Sequence, residues 1–288
     1  MLELEITKAN LSLQKRQEGS LTGNPRLTWK RELPDTLNGI RRMKRDPRVL
    51  IVVPAKDEEQ NIGQVLERVR AEYPYFDCLV IDDGSADGTV SVAKEKGALV
   101  LSHDRSLGVA AVIQTGRTYA QEQDYDFIVF CDADGQHNPS DIGSVANPLL
   151  NGEADFVIGS RHLGNYAGQE PIRLRLSRQF CSWIITVLIK KRITDATSGF
   201  KGWSRWLIEH FKTVYENSDK LHLSTTNDME EILIAHKRGA RIIEVPVRMV
   251  VKETGLSKVY TTKTIFHFLT IFPLHLMCTV WRNLGKSG

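Results

Sequence analysis

Asp132 and Asp134 stand one residue apart directly after the apolar run Phe127-Ile-Val-Phe-Cys131, and Gln136 follows at the same spacing. Alternation along an extended chain turns the two carboxylates and the amide toward one point. Hard oxygen donors on a partly open site suit Mg²⁺ or Mn²⁺, which then grips a substrate diphosphate. A polar turn at a strand end has the same composition, so the spacing alone does not decide. A second pair, Asp124-Tyr-Asp126, precedes the same run and reads as a solvated loop. Asp82-Asp83-Gly84-Ser85 closes another apolar run. One of its acids can accept hydrogen bonds from a base N–H or a ribose hydroxyl while the other caps a helix, although Asp-Gly and Ser also form ordinary turns.

Such groups need elements to position them. Val49-Leu-Ile-Val-Val-Pro54 is a continuous apolar run of the kind found in buried parallel strands. Ile62, Val65, Leu66 and Val69 then fall at helical spacing, with Asn61 as the expected N-cap. Strands are expected at Cys78–Ile81, Ala98–Ser102, Phe127–Cys131 and Phe156–Ile158. Helices are expected at Val90–Lys96, stopped by Gly97, and at Val109–Glu122 and Ile142–Leu150. This alternation with short connections specifies an α/β fold with a mostly parallel central sheet and flanking helices. Ligands bind such sheets at the carboxyl ends of the strands, where these acids fall. Farther on, Leu176–Ile189 reads as an apolar helix, either core or surface-bound.

The 288 residues are 41% hydrophobic and 25% charged, which excludes collagen-like and wholly disordered classes. No Gly-x-x-x-x-Gly-Lys-Ser/Thr, Gly-x-Ser-x-Gly or His-Glu-x-x-His is present, and no Gly-x-Gly-x-x-Gly follows the first strand. Four cysteines, Cys78, Cys131, Cys181 and Cys278, make no Cys-x-x-Cys pair and read as reduced thiols, mostly buried. No secretory signal is visible at the start. Thr264–Trp281 is charge-free and apolar but contains His267, Pro273 and His275, so it reads as a packed or membrane-surface helix in preference to a span. The net charge of +3 is uneven: residues 1–48 carry +5 and residues 252–288 carry +4, leaving the middle at −6. No aromatic-basic motif supports nucleic-acid binding.

Taken together, Pro54-Ala-Lys-Asp-Glu58, Asp82-Asp-Gly-Ser-Ala-Asp-Gly-Thr89, Asp132-Ala-Asp-Gly-Gln-His137 and Gly159-Ser-Arg161 resemble the ordered motifs of family-2 glycosyltransferases. The nearest branch is the dolichyl- or polyprenyl-phosphate sugar transferases. Asp195-Ala-Thr-Ser-Gly-Phe-Lys201, Glu244-Val-Pro-Val247 and Lys252-Glu-Thr-Gly-Leu-Ser-Lys258 extend the likeness to residue 258. The resemblance implies one A-type glycosyltransferase domain over residues 49–258, with a nucleotide-sugar half at 49–161 and an acceptor half at 162–258. Residues 1–48 would be a basic, partly flexible extension with a short helix near Leu37–Arg45, and 259–288 an apolar and basic tail.

By the same resemblance Pro54, Ala55, Glu58, Asp82, Asp83 and Asp132 bind the nucleotide, and Asp132, Asp134 and Gln136 hold Mg²⁺ or Mn²⁺. Arg161, Arg173, Lys252 and Lys258 face acceptor or donor phosphate, and the catalytic set is Asp134, Arg161 and Asp228. The donor is a GDP- or UDP-linked sugar. A polyprenyl phosphate acceptor is already ionised near neutral pH and needs no base, whereas a glycan hydroxyl needs a carboxylate such as Asp228. Glu230 matches the lipid-phosphate branch and Asp228 the hydroxyl branch, so both acceptors stay open, with the supply of Arg and Lys favouring the phosphate. A nucleotide-sugar-binding protein without catalysis is the alternative of another class. The basic ends are expected to keep the enzyme peripheral on the cytoplasmic face of a membrane.

Overall fold

The computed structural model describes residues 46–164, 166–167, 172–216 and 227–250. The expectations for residues 1–45, Lys252, Lys258, Thr264–Trp281 and Cys278 lie outside them.

β1 (Val49–Ala55) is followed by α1 (Glu59–Glu72), β2 (Asp77–Asp82), α2 (Thr89–Glu95), β3 (Leu99–Ser102), α3 (Val109–Glu122) and β4 (Phe127–Phe130). A 3₁₀ turn (Pro139–Asp141), α4 (Ile142–Leu150), β5 (Phe156–Ser160) and β6 (Tyr166–Ala167) come next. Then follow α5 (Ile172–Ile189), β7 (Lys201–Ser204), α6 (Arg205–Glu216), α7 (Asn227–Lys237), β8 (Ile242–Pro246) and β9 (Met249–Val250). The main sheet has the order β3-β2-β1-β4-β7-β5-β8, and β6 pairs with β9.

Successive residues of a strand point to opposite faces, so an all-apolar strand must be covered twice. Leu50 and Val52 of β1 join the layer under α3, α5, α6 and α7. Val49, Ile51 and Val53 join the layer under α1, α2 and α4. Burying each such side chain contributes roughly 1.5–3 kcal/mol before chain entropy is counted.

The strand order reverses between β1 and β4, the switch point at which such sheets open a crevice. Asp82 ends β2, and Asp132 and Asp134 follow β4, so the predicted acids share that edge.

One strand is added and two readings are corrected. β7 runs antiparallel between β4 and β5, a strand the sequence pattern did not disclose. Asn61 is not the cap of α1; it lies in the first turn and its Nδ2 donates to Glu58 Oε2 at 2.6 Å. Asp126 is not solvated: it is buried and accepts the Arg48 N–H at 2.8 Å, pinning the start of β1. Asp124 does lie in an exposed turn, paired with Arg205.

Candidate active site

The loops after β1 and β2 are laced together at the switch point. The Asp57 N–H donates to Ser85 Oγ at 2.9 Å, and its carboxylate accepts the Ala86 N–H at 2.9 Å. Asp57 takes a left-handed conformation (φ 54°), which Asp tolerates better than most residues. The Glu58 N–H donates to Thr89 Oγ1 at 2.8 Å, and Glu59 accepts the Gly88 N–H at 3.0 Å. These bonds tie the loop that carries Glu58 to the Ser85–Thr89 turn that follows Asp82 and Asp83.

The two acids differ. Asp82 Oδ1 accepts the Ser85 N–H at 3.1 Å, closing the turn. Asp83 accepts from His103 Nδ1 (2.9 Å), Ser106 Oγ (2.7 Å), and the Leu107 and Gly108 N–H groups (2.8 and 3.0 Å). A carboxylate offers about four acceptor sites, so Asp83 is fully used in holding the third loop. Burial alone would raise its pKa, but His103, the Leu107 N–H, Ser106 and the Gly108 N–H hold it below the usual value. The motif at 82–83 disclosed neither His103 nor this clamp.

After β4 the Asp132 N–H donates to His137 Nδ1 at 3.1 Å. Nδ1 is therefore an acceptor, and the proton sits on Nε2, which lies 3.7 Å from Asp132 Oδ2. The His137 ring stacks on Phe200 at 4.8 Å, so His137 orients Asp132. Asp134 accepts the Gln136 N–H at 3.0 Å and also the Gln136 Nε2, which leaves Gln136 Oε1 for another partner. Desolvation raises the Asp132 pKa; His137 opposes, Asp134 and Asp228 push it up further, and Lys201 opposes. Among the described residues no three His, Cys, Asp or Glu side chains converge as a closed metal cage. The donor set here is two carboxylates and an amide oxygen, which fits Mg²⁺ or Mn²⁺ shared with substrate phosphates.

Behind this loop sits a buried ion cluster. Lys201, at the start of β7, donates through Nζ to Asp228 Oδ1 and to Glu231 Oε2, both at 2.5 Å. Burial works against the ammonium, and the Asp228 and Glu231 carboxylates outweigh it, so its pKa stands above the usual lysine value. The Nζ lies 5.7 and 5.5 Å from the Phe130 and Trp203 ring centroids. Asp228 is 28% exposed at the cluster's outer end, close enough to Asp132 to act on its pKa. Lys201 stood inside a motif with no role assigned to it, because its partners lie 27 and 30 residues away.

Arg161 follows β5 and is buried. Its Nε donates to Asp195 Oδ2 at 2.5 Å and its Nη2 to the Thr197 carbonyl at 3.2 Å. Asp195 is anchored in turn, its N–H donating to Glu244 Oε1 at 2.9 Å, and Glu244 also accepts the Thr194 N–H. The two second-half motifs thus form a chain of support that ends at Arg161. Arg173 lies in the first turn of α5, apart from the strand-end residues in sequence; its side chain lies outside the described residues.

The family model described as Glycosyl transferase family 2 matches residues 50–211. A UDP-N-acetylglucosamine–dolichyl-phosphate N-acetylglucosaminyltransferase of Methanococcus voltae is 27% identical over 231 residues, covering 74% of this chain and 90% of that protein. An undecaprenyl-phosphate mannosyltransferase of Micrococcus luteus is 28% identical, covering 73% of this chain and 87% of that protein. The structure of glucosyl-3-phosphoglycerate synthase from Mycobacterium tuberculosis in complex with uridine-diphosphate superposes with a TM-score of 0.59 at 20% identity, over 86% of this chain and 83% of that one, a likeness of fold.

Proposed function

The chain belongs to glycosyl transferase family 2, and on that footing we propose that it moves a sugar from a nucleotide-diphosphate sugar to a polyprenyl phosphate with inversion at the anomeric carbon. The relatives named for dolichyl-phosphate and undecaprenyl-phosphate transfer support the acceptor class. The observation that carries the reading is the state of Asp228. A hydroxyl acceptor needs a carboxylate free to take its proton. Here one Asp228 oxygen is already committed to an ion pair with the buried Lys201 ammonium at 2.5 Å. A lipid monophosphate brings its own negative charge and asks only for positioning.

In this reading Pro54, Ala55, Glu58 and Asp82 receive the nucleoside, and Asp83 holds the 103–108 loop beside it. Asp132, Asp134 and Gln136 would hold a divalent cation, which when bound would supply positive charge beside the leaving diphosphate. Arg161 orients a phosphate, with Lys252, Lys258 and Arg173 contributing further positive charge. The acceptor phosphate oxygen attacks the anomeric carbon from the face opposite the diphosphate. A carbon–oxygen bond forms there as the bond to the diphosphate breaks, and the nucleoside diphosphate leaves.

The linkage in the product tests this. A glycosyl phosphate is cleaved by mild acid, whereas a glycoside formed on a hydroxyl survives. The expected product from UDP- or GDP-linked sugar with Mn²⁺ is acid-labile and inverted; an acid-stable product assigns a hydroxyl acceptor and makes Asp228 the base. Excess chelator is expected to stop turnover, and added Mn²⁺ or Mg²⁺ to restore it.

A further inference from the structure

Residues 247–249, which lead from β8 into β9, touch both sides of the site. The Val247 N–H donates to the Ser160 carbonyl at 3.2 Å, one residue before Arg161. Val247 is buried and packs closely on that stretch: a Cβ at Gly159 would stand 2.9 Å from its Cγ1, and one at Gly164 would overlap its carbonyl oxygen. The next two residues meet the other side. The Arg248 carbonyl accepts the Asn138 N–H at 3.4 Å, and Met249 forms an antiparallel bridge with His137. His137 is the residue that accepts the Asp132 N–H. One short piece of chain therefore spaces the loop of Asp132 and Asp134 from the base of Arg161.

A single carboxylate holds that piece. Asp141 accepts the Arg248 N–H at 2.5 Å, the Arg248 Nε at 3.0 Å and the Arg248 Nη2 at 2.6 Å. Asp141 stands directly before α4, where an Asp ordinarily accepts a first-turn N–H and caps the helix. It makes no such bond. Its side chain is 9% exposed and turns to Arg248, which is 56% exposed. A two-pronged bond from a guanidinium to a buried carboxylate fixes orientation as well as distance. A second pair has the same build in a different setting. Arg241, also 56% exposed, grips Asp155 through Nε and Nη2, both at 3.0 Å, at the end of β5 and β8 opposite Arg161.

We propose that Asp141 and Arg248 are positioning residues: their bond clamps residues 247–249 across the Asp132–His137 loop and so sets the distance between that loop and Arg161. The loop's own bonds, from the Asp132 N–H to His137 and from Gln136 to Asp134, lie within it and do not need the clamp. Releasing the clamp thus leaves the donor groups formed and moves them relative to Arg161. The clamp itself is independent of the reaction; its effect on transfer rests on the roles proposed above for Asp132, Asp134 and Arg161.

The test compares Arg248→Met, Asp141→Ala and the double variant in the full chain, with Arg241→Met as the matched pair elsewhere. In hydrogen–deuterium exchange, R248M and D141A are expected to speed exchange of peptides spanning 132–141 by about tenfold or more, and R241M to leave it unchanged. In transfer with Mn²⁺, each of the two is expected to lower kcat by about tenfold or more while the KM for the nucleotide-sugar donor stays within about threefold. D141A/R248M is expected to be no slower than either single variant, because residues that act through one bond are not additive. Wild-type exchange in both single variants overturns the clamp. Faster exchange with wild-type kcat, or an equal loss of kcat in R241M, overturns the positioning role and leaves the pair a structural tie. If the wild type gives no transfer to a polyprenyl phosphate, the acceptor reading fails on its own. The exchange measurement needs no substrate, and together with the same kinetic comparison on the acceptor the wild type does use it then decides the clamp.

Discussion

Lys201 is a buried positive charge held between two carboxylates, and removing it leaves Glu231 buried, and Asp228 half-buried, without their cation. Lys201→Met is expected to destabilise the protein by about 3–5 kcal/mol. Chemical denaturation reads this directly, and a loss below about 1 kcal/mol would show that Asp228 and Glu231 are satisfied without it. Glu230, one position before Glu231, answers to pH. Burial, with Glu231 beside it, lifts its pKa from 4.5 to about 7. The folded state therefore keeps a proton that the unfolded state releases. The resulting stabilisation is complete below about pH 4.5 and is lost as the pH rises through about 7, by roughly 3 kcal/mol in all. Glu230→Gln is expected to flatten that part of the stability–pH curve and to raise the unfolding midpoint at pH 8. An unchanged slope would place the titration elsewhere.

The strand ends are built by loops whose backbone leaves little room. Gly84 has φ +69°, and a Cβ there would stand 2.8 Å from the backbone of Arg105 and Ser106. Gly135 also has positive φ (+76°), but a Cβ there meets nothing within 4 Å. Gly84→Ala is thus expected to displace the Asp82–Asp83 turn and abolish the thermal shift given by nucleoside diphosphate. Gly135→Ala is expected to cost only the left-handed penalty of about 1–2 kcal/mol and to keep the shift. Equal shifts in both variants would mean that the β2 loop does not shape the nucleotide pocket. At this scale the first half of the fold was legible, because β1, β2 and β4 are apolar runs, the last two closed by acids. β7 was not. Lys201-Gly-Trp-Ser204 is four residues long, opens on a lysine and contains a glycine, so it has no apolar run to detect. It is a strand because Gly202 lets the sheet pack closely on Val145 and Leu149 while Trp203 fills the opposite layer. Arg161 was legible as a strand-end cation, but its anchors Asp195 and Glu244 come from a long-range fold that spacing does not encode.

Across the whole molecule the uneven charge acquires a location. The acidic middle owes part of its charge to the acids gathered at the switch point, where burial first, and then the nearby Asp134 and Asp228 carboxylates, raise the pKa of Asp132. Such a grouping is eased by a cation from outside the protein, and Asp134→Asn is expected to lower the transfer rate by about 10²–10³-fold. Arg161, just after β5, and the cations spread along α5 add the opposite charge. A donor side that takes a metal and a diphosphate, facing an acceptor side that takes an anion near a lipid surface, is the arrangement the account rests on. The most direct measurement of it is the partition of radiolabelled sugar after reaction with a nucleotide-linked donor, Mn²⁺ and undecaprenyl phosphate. The account predicts that label enters the organic phase only when the lipid phosphate is present and Asp134 is intact. Label confined to water-soluble product would contradict it.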